Sequence, residues 1–135
     1  MPARIAGQKA RRTHLQTIYQ GEFKRGLTGN ELLQQILSRA REESVPTPKV
    51  YSHSLGRYLH EPGPLIGLPW EQERCPGRGD VKLDYSSCFT IERSVEDRVP
   101  EWDNQMVRLP TDQDVAFVAQ GCRPMDGVQT AFHVI

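Results

Sequence analysis

The hydrophobic period of this chain changes once, near Pro46 and Pro48, and that change limits the folds open to it. Before the two prolines, apolar residues recur at helical spacing. Leu15, Ile18, Tyr19 and Phe23 fall on one stripe, with Arg11, Arg12, Gln16 and Gln20 outside it. The spacing predicts a helix from about Ile5 to Arg25, stopped by Gly26. Thr28 and Glu31 then stand at capping-box spacing, and Leu32, Leu33, Ile36, Leu37 and Ala40 form a second stripe. That helix ends at Ser44 to Pro48, because each proline pushes the residue before it toward extended backbone. Two amphipathic helices in a row need a surface to cover.

The rest of the chain supplies one, since it reads as strands separated by turns. The strand candidates are Lys49 to Ser52, a short one near Val81 to Leu83, Ser87 to Glu92, Gln105 to Leu109, Asp114 to Val118, and Thr130 to Ile135. The stretch from Pro62 to Asp80 holds four prolines and four glycines and is expected to be loop, with Trp70 packed against the sheet. Gly77-Arg78-Gly79-Asp80 is no phosphate cradle, for it lacks the flanking strand and helix. The expected class is α+β, with two helices packed on one face of an antiparallel sheet.

Composition narrows the partners. A chain of 135 residues makes a single domain, 1–135, with a modest core. Seventeen basic and seventeen acidic side chains cancel, so no field steers nucleic acid or an anionic membrane toward it. Lys9, Arg11 and Arg12 read as a solvated helix face. Cys75, Cys88 and Cys122 are odd in number and lack CxxC spacing, which argues against a disulfide framework or zinc knuckle. Cys88 reads as a small buried hydrophobe, and free thiols suit a reducing compartment. No stretch resembles a signal peptide or a membrane span, so the expected location is cytoplasmic, with no membrane partner.

Three segments carry candidate chemistry. The first is Tyr51-Ser52-His53-Ser54-Leu55-Gly56-Arg57-Tyr58-Leu59-His60, closed by Glu61-Pro62-Gly63-Pro64 as a turn. Neutral imidazole is a common metal ligand, and a second one can donate to an oxyanion. The second is Cys88-Phe89-Thr90-Ile91-Glu92, a β-branched and aromatic strand ending in a carboxylate. The third is the run from Val107 through Asp112 and Gln113 to Phe117. In this order the three resemble the pita-bread metallopeptidases, a family that includes methionine aminopeptidase, aminopeptidase P and creatinase. The resemblance covers essentially the whole chain. It implies that His53 and Glu92 are metal ligands and that His60 contacts the substrate carbonyl, a catalytic and substrate-binding role. Asp112 best matches the family's final ligand, a glutamate there and one methylene shorter here, with Gln113 next. The implied cofactor is a divalent metal, manganese, cobalt or zinc, and the implied substrate is a peptide.

The chain also departs from that family. The family's domain has two related halves, and its metal centre needs two aspartates from the first half. Upstream of His53 there is no aspartate, only Glu22, Glu31, Glu42 and Glu43 in helical stretches. Met1 is therefore expected to lie near the boundary between halves, leaving the second half of a pita-bread fold. Two functions follow: a metallo-aminopeptidase of the Xaa-Pro type that is truncated and inactive alone, or a non-catalytic peptide- or protein-binding remnant. An open sheet edge near the strands of His53 and Glu92 is expected to favour a homo-oligomer. Blander readings stand beside these. Arg93 or Arg108 pairs Glu92, Asp112 caps a turn, His14 and His133 are structural, and Trp70, Tyr85 and Trp102 are core or rim aromatics.

Overall fold

The computed structural model describes residues 3–128. Two helices, α1 (Ala3–Glu22) and α2 (Gly29–Glu42), precede seven strands among those residues. The strands are β1 (Lys49–Gly56), β2 (Leu59–Ile66), β3 (Ser87–Thr90), β4 (Glu92–Val99), β5 (Gln105–Thr111), β6 (Asp114–Val118) and β7 (Gly121–Pro124). All their pairings are antiparallel. The sheet runs β5-β4-β1-β3-β6-β7, with β2 on the other side of β1. Thr28 caps α2 as its spacing predicts: its hydroxyl accepts from the Glu31 amide, and the Glu31 carboxylate accepts from the Thr28 amide.

The helices cover one face of the sheet. Leu15, Tyr19, Leu32, Leu33 and Ile36 meet Val50, Phe89, Ile91, Val95, Val115 and Phe117 in one buried cluster. Phe23 lies just past the end of α1, and its ring centroid is 5.4 Å from Phe89 and 5.5 Å from Phe117. Arg12 and Gln16 are also buried, contrary to their expected place outside the stripe. The reason is Arg93, whose guanidinium points from β4 under α1 and donates to the Gln16 side chain and the Arg12 carbonyl. Arg11, on the same helix, pairs with Asp97 of β4.

Four readings of the sequence need correction. Pro62 to Ile66 belongs to β2, where a loop was expected. Prolines fit there because β2 pairs only with β1, so its other edge needs no amide donors. The run Arg93–Val99 continues as β4, and its polar residues hide an alternation in which Val95 and Val99 are buried. Val81 to Leu83 forms no strand; Leu83 instead exchanges backbone bonds with Gly26 and Leu27 in the helix connection. Thr130 to Ile135 lies outside the described residues. Trp70 is 79 % exposed, so it does not pack on the sheet. No helix among the described residues is long and apolar enough to cross a membrane.

A single register organises the chemistry. Along β1, Ser54 faces Phe89 on β3, and Tyr51 faces Glu92 on β4 without a slip between them. Across the next pair, Thr90 faces Asp114 and Arg93 faces Thr111. Reciprocal bonds of 2.7 and 3.2 Å between Ile91 and Gln113 join the two halves of that ladder. Glu92 and Asp112 therefore lie opposite one another. The strands carrying His53 and Glu92 are paired on both sides, and open edges lie on their outer neighbours β2 and β5.

Candidate functional site

Strand alternation puts Tyr51, His53, Thr90, Glu92 and Asp112 on the sheet face turned away from the helices. His53 is 3 % exposed. Its backbone amide donates to Thr90 Oγ1 at 3.2 Å, and its Nδ1 lies 3.1 Å from the Ser54 carbonyl. A carbonyl only accepts, so Nδ1 carries a proton here, and Nε2 is turned to the face. Glu92 Oε1 lies 3.6 Å from that Nε2.

His60 comes to the same place from β2. A register shift in β2 between the partners of His53 and Leu55 lets the strand bulge, with Gly63 at φ +153. A Cβ at Gly63 would stand 2.3 Å from Ser54 Oγ, so the close approach excludes larger residues. Arg78 satisfies bulge carbonyls, donating to Glu61 at 2.8 Å and Gly63 at 3.3 Å. The imidazole of His60 then stacks on that of His53, with centroids 3.9 Å apart and planes within 16°. His60 thus covers one face of the His53 ring.

Both acids are shifted in the same direction. Burial raises the Glu92 carboxyl above its ordinary value, and the Asp112 charge adds to the rise, while His53 and Thr90 oppose it. Asp112 is raised as well, first by burial and further by Asp114, with the Gln113 amide, His53 and Arg93 opposing. Neither Arg93 nor Arg108 pairs Glu92. Arg93 faces α1, where burial and Arg12 lower its guanidinium to about 10. Arg108 donates from Nε to Ser94 Oγ at 2.9 Å.

The structure thus brings His53, His60 and Glu92 together and sets Asp112 beside Glu92. One imidazole and two carboxylates are donors that a divalent ion accepts. Among the described residues, however, no group of three His, Cys, Asp or Glu side chains converges tightly enough to hold an ion. The donor chemistry fits and the geometry does not. His14 pairs with Glu43 on the helical side, away from this face, and His133 lies outside the described residues. Cys88 is half-buried.

Sequence reading overlooked Tyr51, Thr90, Lys49 and Ser94, which line the same face. The signal was available in period two: Tyr51 precedes His53 by two residues, and Thr90 precedes Glu92 likewise. A cleft of about 330 Å³ includes Tyr51, Glu92 and Asp112 in its wall.

No protein-family model matches the chain, and no curated protein matches it. Among solved structures it is similar to the X-Pro aminopeptidase from Thermotoga maritima MSB8, with a TM-score of 0.68 at 19 % identity. The match covers 98 % of this chain and 34 % of that one, so the chain spans about a third of that structure's length. Two helices against a curled antiparallel sheet are therefore part of an aminopeptidase-like fold, the fold that the three sequence segments imply.

Proposed function

We propose that this chain carries the histidine and carboxylate side of an Xaa-Pro aminopeptidase-like site, and that by itself it binds short peptides without cleaving them. The observation that supports this reading is that His53 on β1, Glu92 at the start of β4 and Asp112 just past β5 share one face, with Nε2 and Oε1 3.6 Å apart. Peptide hydrolysis at such a site needs a polarised carbonyl and an activated water, which a two-metal clamp supplies. The three donors here do not converge on one ion. Ligands from another segment or another chain are required before manganese, cobalt or zinc is held firmly. In this reading His60, stacked on His53 at the edge of the same face, contacts a peptide carbonyl.

Two measurements on the 135-residue chain test the reading. Calorimetric titration with manganese, cobalt or zinc at neutral pH is expected to show weak binding. Incubation with Xaa-Pro and Met-Ala peptides is expected to release no N-terminal residue in a metal-dependent way. Tight binding of two ions per chain, or turnover lost on His53→Ala, would establish the active aminopeptidase instead.

A further inference from the structure

The connection from α2 to β1, residues 44–48, holds two non-glycine residues in left-handed backbone, Ser44 at φ 58 and Thr47 at φ 40. Ser44 belongs to a helix stop. Its amide donates to the Arg41 carbonyl, and the Val45 amide donates to the Ala40 carbonyl. Thr47 belongs to no such motif. It is β-branched and precedes Pro48, and both features disfavour the conformation it holds. Its hydroxyl donates to the Glu96 carbonyl at 3.0 Å, which ties the turn down on β4. Pro46 and Pro48 favour extended backbone on either side of it.

This turn is the single covalent link between the helical layer and the sheet. Their other contacts are the shared core, the Arg11–Asp97 pair, the Arg93–Gln16 bond and the backbone bonds of Gly26 and Leu27 with Leu83. Each joins a residue before the turn to one after it, so each forms equally well with a second copy of the chain. Residues 44–48, when straight, reach about 17 Å. Exchange would keep every buried contact and release the left-handed turn at Thr47. Short hinges under strain favour such an exchange.

We propose that two copies of the chain exchange their helical layers, α1 and α2 of each covering the sheet of the other, driven by the strain released at Thr47. The product is a closed two-fold dimer whose helix–sheet interfaces are those of the single chain. The face carrying His53, Glu92 and Asp112 is turned away from the helices and takes no part in the exchange.

Two differently isotope-labelled samples of the whole chain, unfolded together in urea and refolded at high concentration, test this. Light scattering is expected to show a dimer. Phe23 and Phe89, whose ring centroids are 5.4 Å apart, are expected to give nuclear Overhauser contacts between the two labels. Pro48→Ala lifts the restriction on Thr47 and is expected to raise the dimer dissociation constant about tenfold. Thr47→Gly is expected to raise it likewise and serves if Pro48→Ala fails to fold. A monomer at every concentration overturns the inference. So does a dimer whose Phe23–Phe89 contacts stay within one label, as in pairing at the β5 edge. Equal dissociation of the parent and of each variant that folds overturns it as well.

Discussion

The rings of His53 and His60 are stacked 3.9 Å apart across the β1–β2 hairpin, and His53 is the one buried histidine among the described residues. His60→Ala removes the cover without touching the β1 backbone. Urea unfolding is expected to show a loss of about 1 kcal/mol, the usual worth of a stacked ring pair. Modification of His53 by diethyl pyrocarbonate, followed by mass spectrometry, is expected to speed up in the same variant. An unchanged rate would mean that other side chains bury His53.

Phe23 joins the helical layer to the sheet through edge contacts with Tyr19, Phe89 and Phe117. Phe23→Ala leaves a cavity at that junction and is expected to cost about 3–5 kcal/mol. Domains of this size are stable by about 5–15 kcal/mol, so equilibrium denaturation should show a large part of the stability gone.

Two glycines at the helix connection separate crowding from backbone strain. A Cβ at Gly29 would stand 2.0 Å from the Leu65 carbonyl oxygen, where neither backbone can yield. At Gly26 a Cβ meets nothing within 4 Å, but φ is +88. Thermal melts are expected to show Gly29→Ala losing about 3 kcal/mol, the upper range for overpacking. Gly26→Ala should lose about 1 kcal/mol, the cost of a left-handed side-chain residue.

Asp80 accepts from Arg74, the Gly77 amide and Asn30, and these bonds, Arg74 first, hold its carboxyl below the ordinary value of 3.8. A depressed folded-state value means that the unfolded chain takes up the proton first as pH falls. The stabilisation is therefore present above about pH 4 and lost below it. Asp80→Asn is expected to lower the melting temperature at pH 7, and the deficit is expected to shrink progressively as the pH falls below about 4. An equal deficit above and below that pH would show that the charge is not what matters.

The helices and their cap were legible because Thr28, Glu31 and the Leu32 to Ala40 stripe are local signals that tertiary packing leaves intact. His53 and Glu92 were legible as a pair only through their order in the family-like segments, and the structure brings them to 3.6 Å. Two strands were not. Pro62 and Pro64 read as breakers, yet an unpaired edge removes the reason prolines break strands. In β4 the buried alternation of Arg93, Val95 and Val99 is masked because Arg93 takes Gln16 and Asp97 takes Arg11 from α1. Partners more than 70 residues away cannot be read from a local window.

The turn between β4 and β5 holds Asp103 at φ 51 and Asn104 at φ 57, residue types that tolerate left-handed backbone. Gln105 pairs with Val99 immediately beyond it, and every later pairing up to Phe117 inherits that count. The turn therefore works as a ruler laid along roughly 26 Å of strand, eight residues at about 3.3 Å each, between Asn104 and Asp112. Adding one residue there would rotate Arg108 and Asp112 to the helix side and turn Leu109 outward, with no cleft residue itself substituted. Changes at this distant tip would thus be read in the laboratory as damage to the site.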